Sequence, residues 1–173
     1  MANDSSELTR LLLAKVEQQV ELAIGLAARV PADRLEWRPA HSVFRLDHLL
    51  GHLLEACAGF CAALYSARPQ ELAHFARLRG LPVNHACGVD EATARLRDYL
   101  SHIREGFATL TDADLARRTP TLFAPAGEAL LTTLLTNLEH FTNHKHQLFF
   151  TLKLLGVEVG TAQLYDIKAP PAP

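Results

Sequence analysis

Long apolar stripes at helical spacing constrain the fold of this chain more than any other feature. Leucines and other apolar side chains recur every three or four residues over four segments, about residues 6–28, 45–66, 90–110 and 127–155. Alternation at the period of a β-strand is nearly absent. Helices of this length must bury their apolar faces against one another. The sequence therefore predicts an all-α protein built as a four-helix bundle.

Prolines and capping residues predict where these helices begin and end. Pro31 closes the first helix, and Pro69 bars continuation of the second. Asp90 is the expected N-cap of the third helix, and Gly156 is the expected stop of the fourth. The connection between the second and third helices is too long for a bare loop, so we expect short extra helices in the connections. Two such segments are predicted, residues 70–79 and 111–114.

Length, charge and cysteine content exclude several classes of protein. The 173 residues fit a single domain, residues 1–168, followed by a proline-rich tail, residues 169–173. A net charge of -2 with dispersed Lys and Arg gives no basic patch for nucleic acid or an anionic membrane. The acidic N-terminus lacks signal-peptide features, and no uninterrupted apolar run reaches the roughly 18 residues of a membrane span. With three cysteines, an odd number, we expect free thiols and a cytoplasmic protein.

Two histidine pairs carry the functional signal. His140 and His144 lie one helical turn apart on the fourth predicted helix, and His48 and His52 have the same spacing on the second. Residues four apart project from one helix face, so a pair offers two imidazoles to one point. Imidazole is a common ligand for zinc, nickel, copper and iron. The pattern indicates a divalent metal inside the bundle.

An ordinary polar role for these histidines is the alternative. The chain has nine histidines, and His74, His85 and His102 are expected to be ordinary polar positions. His140 and His52, however, fall in register with apolar side chains of the predicted core. A buried imidazole without a partner costs free energy, and coordination offsets that cost. Two pairs on two apolar helices therefore favour a metal site, with the polar role left open.

Two segments of this sequence resemble the DinB/YfiT-like family (DinB superfamily). Residues 140–147, His-Phe-Thr-Asn-His-Lys-His-Gln, followed by Gly156 and then Leu164-Tyr165, are similar to the last helix and tail of that family. Residues 49–56, Leu-Leu-Gly-His-Leu-Leu-Glu-Ala, are similar to the helix that carries its remaining ligand. The resemblance spans about residues 8–166 and implies a four-helix bundle with an up-down-down-up course.

The resemblance also implies which residues bind the metal. His52, His140 and His144 match the family's metal-binding triad. His48 has no counterpart, and we expect a solvated histidine there, with an extra ligand as the alternative. The chain departs from the family at Lys145-His146, where Arg-Gly is usual; this change is expected to alter contacts around the ligands and the local surface.

Three neutral nitrogens would leave a metal its full charge and open coordination positions, which is typical of catalytic sites. Members of the family include thiol S-transferases and isomerases that use bacillithiol, mycothiol or glutathione. The resemblance therefore implies a Zn- or Ni-dependent enzyme, a thiol-dependent transferase or a hydrolase-like protein, that acts on a small molecule and forms a homodimer. The electrophile is expected in a pocket between the bundle and residues 80–88. The alternative is a non-catalytic, stress-associated bundle that binds a small ligand or dimerises, with a structural or vestigial metal.

Glu55, Gln147 and the cysteine pair of the second helix each have two interpretations. Glu55 is a candidate catalytic base or partner of a ligand, or else a solvated charge. Gln147 is a candidate partner of a ligand imidazole or, preferably, of the neighbouring helix. The pair Cys57 and Cys61 is interpreted as core packing rather than redox or metal chemistry, because nothing basic nearby lowers a thiol pKa. Cys87 is expected to stand alone in a loop.

Overall fold

The protein is an all-α bundle, as the apolar stripes predict. The computed structural model describes residues 6–40, 44–120 and 125–165. Four long helices dominate these residues: α1 Glu7–Ala27, α2 Leu46–Ala67, α3 Val89–Ala108 and α5 Leu130–Leu154. Short elements fill the connections: helices α4 Asp112–Leu115 and α6 Thr161–Leu164, 3-10 helices Ala32–Arg34 and Ala73–Gly80, and strands β1 Arg118–Thr119 and β2 Glu128–Ala129.

Each long helix packs against two others around a single core. Helix α2 packs against α3 and α5, and α1 packs against the same two helices. The core is made of the apolar faces of all four helices, with Leu53, Leu96 and Leu134 fully buried. The up-down-down-up course implied by the resemblance stays a prediction. The predicted tail, residues 169–173, lies outside the described residues.

Some helix boundaries agree with the predictions and others differ from them. Gly156 has a φ of 77° and ends α5 as predicted, because glycine adopts the left-handed conformation without steric cost. The predicted start of that helix near Gly127 is wrong: residues 128–129 pair with β1, and α5 begins at Leu130. The N-cap of α3 is Gly88, not Asp90. Asp90 instead lies in the first turn, where a carboxylate interacts favourably with the helix dipole.

Helix α2 is the most apolar helix described. By length and hydropathy it could cross a membrane, and it is the one such helix among the described residues. Polar residues such as His52 and Glu55 interrupt its apolar residues, so it contains no uninterrupted apolar run of the length that a membrane span needs. However, 61% of its most apolar window is buried inside the protein, as expected of a core helix. Its composition is therefore explained by its central place in the bundle.

The loop before α3 lies directly on α2. The backbone N–H of Asn84 donates to the carbonyl of Gly51 (2.9 Å), and that of Cys87 donates to the carbonyl of Asp47 (3.2 Å). Two helical turns of α2 near its N-terminus are thus covered by this loop. The same stretch of α2 carries His52, so the loop helps to fix the environment of the histidine site.

Candidate metal centre

Three histidines from two helices converge on one point. His52 lies on α2, and His140 and His144 lie one turn apart on α5. The Nε2 atom of His52 is 3.0 Å from Nε2 of His144 and 3.2 Å from Nε2 of His140. All three residues are partly buried, and one ligand atom of each lies within 4.8 Å of the others. The predicted meeting of these three imidazoles is therefore present in the fold.

The spacing and the chemistry of these nitrogens fit a divalent transition metal. Two nitrogens that each lie about 2.0–2.1 Å from one ion are roughly 2.8–3.0 Å apart in octahedral geometry and roughly 3.3–3.4 Å apart in tetrahedral geometry, so the whole range is about 2.8–3.4 Å. The observed separations fall in this range. Burial, and then the charge of His52, lowers the pKa of His140, and burial is also the main cause of the lowered pKa of His144. Both effects favour the neutral imidazole that binds a metal.

Polar side chains lie next to the outer nitrogens of two of the rings. Gln147 Oε1 accepts a hydrogen bond from His144 Nδ1 (2.8 Å), so Nε2 of that ring keeps its lone pair. Glu55 Oε2 lies 2.7 Å from His52 Nδ1, although the two groups are not aligned as a hydrogen bond. Carboxylates and carbonyls in this position orient metal-ligating histidines and raise their basicity. Gln147 is therefore a partner of a triad imidazole, which is one of the two roles that the sequence suggests for it.

Comparisons with known proteins support the fold. Among solved structures, the crystal structure of a DinB-like protein (YjoA) from Bacillus subtilis is similar to this chain, with a TM-score of 0.66 and 15% sequence identity. The similarity covers 86% of this chain and 94% of that one. The chain has a DinB-like fold. This structural similarity confirms the resemblance noted in the sequence for the fold. No family model matches the sequence, and no curated protein matches it.

Two contacts that support the triad in this DinB-like bundle are not predictable from the sequence. The ring of Phe44 stacks on His52, with centroids 5.0 Å apart, and meets His144 edge-on at 5.7 Å. Asn137, one turn before His140, donates from Nδ2 to the carbonyl of Ala56 (2.9 Å) and so fixes α5 against α2. Neither residue belongs to a recognisable motif, because each is defined by a contact between distant segments.

Four histidines outside the triad lie in three different environments. His48 is exposed and lies outside the triad, as preferred from the sequence. His74 is exposed and pairs with Glu105. His102 is buried, and its Nδ1 donates to the carbonyl of Asp98 (2.8 Å). His85 is partly buried and lies beside Cys87 and Glu91.

Lys145, the first of the two departures from the family pattern, is fully buried and does not alter the surface. Its Nζ donates to Gln19 Oε1 on α1 (2.6 Å) and to the carbonyl of Leu164 in α6 (2.9 Å). Burial, together with the charge of Lys15, lowers the pKa of Lys145 to about 8. Lys145, which follows His144 in the sequence, thus connects α5 to α1 and to α6.

The cysteines of α2 lie in the core. Cys57 and Cys61 are both buried, which agrees with their interpretation as apolar packing. Burial raises the pKa of Cys57 well above its usual value and that of Cys61 to about 12, so both stay protonated thiols. Neither thiol lies in a group of metal-ligating side chains among the described residues, so apolar packing is the role that the structure supports.

A cavity adjoins the triad through Glu55. It has a volume of about 300 Å³ and lies between one face of α2 and residues 75–83. Its lining is mainly apolar, with Tyr65, Phe75 and Leu78 among the walls and Arg79 at the edge. A larger groove of about 490 Å³ runs along α1 and shares no residue with the triad. We regard the smaller cavity as the relevant one because Glu55 lines it and also contacts His52.

Proposed function

We propose that this protein is a metal-dependent enzyme in which His52, His140 and His144 hold a divalent transition metal, zinc or nickel. The observation that carries the proposal is the convergence of three Nε2 atoms, with acceptors placed against the outer nitrogens of His52 and His144. A histidine cluster without a cation would gather three imidazoles at the cost of partial desolvation. Coordination explains both the cluster and the polar partners around it.

A metal held by three neutral nitrogens supplies Lewis acidity and lowers the pKa of a bound thiol or water. The side chains of the protein do the rest. Gln147 fixes the ring of His144, and Phe44 stacks on the face of His52 and meets His144 edge-on. Glu55 has two roles in this proposal: it orients His52, and its half-exposed carboxylate accepts a proton at the mouth of the cavity.

The cavity indicates a small, largely apolar substrate. Its walls offer aromatic and aliphatic side chains, and the Arg79 guanidinium lies 5.3 Å from the ring centre of Tyr65. A substrate in this cavity would reach the triad past Glu55. An electrophilic carbon with an apolar body fits this lining, and Arg79 suits an anionic group at the outer end.

The resemblance to the DinB family favours thiol-dependent transfer as the reaction class. In this reaction the S–H proton of a low-molecular-weight thiol passes to Glu55. The sulfur then forms a bond to the electrophilic carbon, and the leaving group departs with its electron pair. With water in place of the thiol, the same arrangement gives hydrolysis. We further propose a cytoplasmic location, a small-molecule substrate, and no nucleic-acid or membrane partner.

A screen of electrophiles against several thiols tests the enzyme proposal. The metal-loaded wild type is expected to catalyse consumption of at least one thiol–electrophile pair, and His140→Ala is expected to abolish it. His48→Ala is the matched control, because this residue is exposed on the same helix as His52 and is expected to leave activity unchanged. If His140→Ala loses its metal and keeps full activity, the proposal is wrong.

The alternative, a non-catalytic bundle with a structural metal, makes a different prediction for the same variant. In that case His140→Ala lowers the melting temperature, and no thiol–electrophile pair reacts with the wild type.

A homodimer is also proposed, since Leu8 and Leu11 on α1 are exposed apolar side chains. Light scattering that shows only a monomer of 19.1 kDa would exclude the dimer.

A further inference from the structure

A second group of metal-ligating side chains lies outside the triad. His85 and Cys87 are on the loop before α3, and Glu91 is in the first turn of that helix. One ligand atom from each residue lies within 4.8 Å of the other two. Spacing in the sequence does not indicate this group, and the sequence analysis expects Cys87 to stand alone. None of its members belongs to the histidine triad or lines the cavity.

Backbone hydrogen bonds hold this loop against α2, and they fix the positions from which the side chains of His85 and Cys87 extend. Backbone hydrogen bonds from Asn84 to Gly51 and from Cys87 to Asp47 fix both sides of the loop on α2. Asn84 has a φ of 54°, in the left-handed region that non-glycine residues seldom adopt. A tightly built turn therefore presents His85 and Cys87 towards the start of α3.

The polar groups here are only partly satisfied. His85 Nε2 donates to Glu91 Oε1 (2.9 Å), but His85 Nδ1 is buried and has no hydrogen-bond partner among the described residues. Cys87 is 4% exposed. A buried nitrogen without a partner is destabilising, because it has lost its hydrogen bonds to water. The side chains of His85 and Glu91 are 31% and 41% exposed, so an ion can reach the group from solvent.

We propose that His85, Cys87 and Glu91 form a second metal site for a zinc-like divalent cation. Imidazole, thiolate and carboxylate are the donors that zinc takes in proteins. On binding, the sulfur–hydrogen bond of Cys87 breaks, its proton leaves to solvent, and the sulfur electron pair forms the bond to the cation. The negative charges of the thiolate and of Glu91 then balance the two positive charges of the ion.

This charge balance separates the second site from the triad. Three neutral imidazoles leave a cation its full charge, whereas a thiolate and a carboxylate cancel it and weaken its Lewis acidity. The role of the second site is therefore structural: it fastens the loop between α2 and α3. Val83, two residues before His85, lines the cavity, so the cation would brace one cavity wall.

Two features of the group oppose binding and set its conditions. Burial, and then the charge of Glu91, raises the pKa of Cys87 to about 11, so the thiol is protonated at neutral pH until a cation displaces the proton. Arg95 contacts the same Glu91 oxygen at 3.2 Å and is a competing cation. Metal binding at this site must therefore displace both a proton and part of an ion pair.

Cobalt(II) spectroscopy tests the second site independently of the triad, because the triad contains no sulfur. Titration of the full chain with Co²⁺ is expected to produce a near-ultraviolet sulfur-to-cobalt charge-transfer band. Cys87→Ser should abolish that band, and Cys61→Ala, the matched control, should keep it. A chain with His52, His140 and His144 all replaced by alanine should still show the band, whether or not the enzyme proposal holds.

A second variant, at His85, distinguishes loss of a ligand from a folding defect in Cys87→Ser. His85→Gln keeps the sulfur and should weaken Co²⁺ binding at this site by more than the roughly tenfold that loss of an outer contact costs. A helical circular dichroism spectrum confirms that each variant is folded. Absence of the band in the wild type, its survival in folded Cys87→Ser, or unchanged affinity in His85→Gln would overturn the proposal.

Discussion

Gly51 and His85 are packed so closely that no other residue fits at position 51. A Cβ built on Gly51 would lie 1.9 Å from the carbonyl oxygen of His85. This oxygen belongs to the backbone, which cannot rotate away as a side chain can. Replacement of Gly51 by alanine is therefore expected to displace the loop and to lower the free energy of unfolding by about 1–3 kcal/mol. Chemical denaturation measures this change.

Gly25 provides the control for that substitution. It lies inside α1, and a Cβ there would meet nothing within 4 Å. Gly25→Ala should therefore raise the free energy of unfolding by about 0.5–1 kcal/mol, since alanine is the better helix former. If Gly51→Ala also proved stabilising, the close packing of the loop on α2 would be refuted.

Glu55 is expected to strengthen metal binding through its contact with His52. Glu55→Ala removes the acceptor beside Nδ1, which should weaken affinity for zinc by about tenfold to a hundredfold. Competition with a chromophoric chelator measures this affinity. Glu139→Ala removes the same charge from an exposed position next to His140 and should have little effect. Equal effects of the two substitutions would show that general charge, and not orientation of His52, is responsible.

Phe44 is expected to hold the ring of His52 in its binding orientation. Phe44→Ala removes the stacked ring and the edge contact with His144, interactions worth about 0.5–1.5 kcal/mol for an aromatic pair. We expect several-fold faster loss of zinc to a chelator, while Phe44→Tyr keeps the wild-type rate. The account of this ring is wrong if Phe44→Ala releases zinc at the wild-type rate.

Asp114 makes the stability of the bundle sensitive to acid. Burial alone would raise its pKa, but hydrogen bonds from Thr111 and Arg68 bring the pKa below the usual 3.8. Folded Asp114 therefore binds fewer protons than unfolded Asp114, and its contribution is present above pH 3.8 and lost as the pH falls through the lowered value.

Asp114→Asn is expected to cost about 2 kcal/mol at neutral pH, because it removes charge-assisted hydrogen bonds. The loss should shrink as the pH falls below 3.8, where the wild-type carboxyl is itself protonated. Denaturation at a series of pH values compares the two proteins. A difference that does not change with pH would contradict the lowered pKa.

The parts of this molecule that follow from local periodicity were predictable from sequence. The apolar stripes identify four helices, and a spacing of four residues places His140 and His144 on one face of α5. The resemblance then adds His52 from another helix. These features depend on residues that are near one another in sequence, or on the order of short motifs along the chain. The three histidines of the triad are therefore predictable from the sequence.

The parts that depend on contacts between distant segments were not predictable. Nothing in the sequence near Phe44 indicates that it stacks on His52, and Cys87 meets His85 and Glu91 only because the loop turns back onto α2. The departure from the family at Lys145-His146 is expected to alter contacts around the ligands and the local surface, but lysine is seldom buried, and its burial here has no signal in the sequence. In the fold it satisfies Gln19 and the carbonyl of Leu164, which lie in other helices.

Metal content of matched histidine variants tests the triad most directly. Purified wild type, His52→Ala and His48→Ala are reconstituted with zinc or nickel, desalted and analysed by mass spectrometry of the elements. We predict that His52→Ala holds about one equivalent less metal than the wild type, and that His48→Ala loses none. Equal metal content in the wild type and His52→Ala would contradict the account.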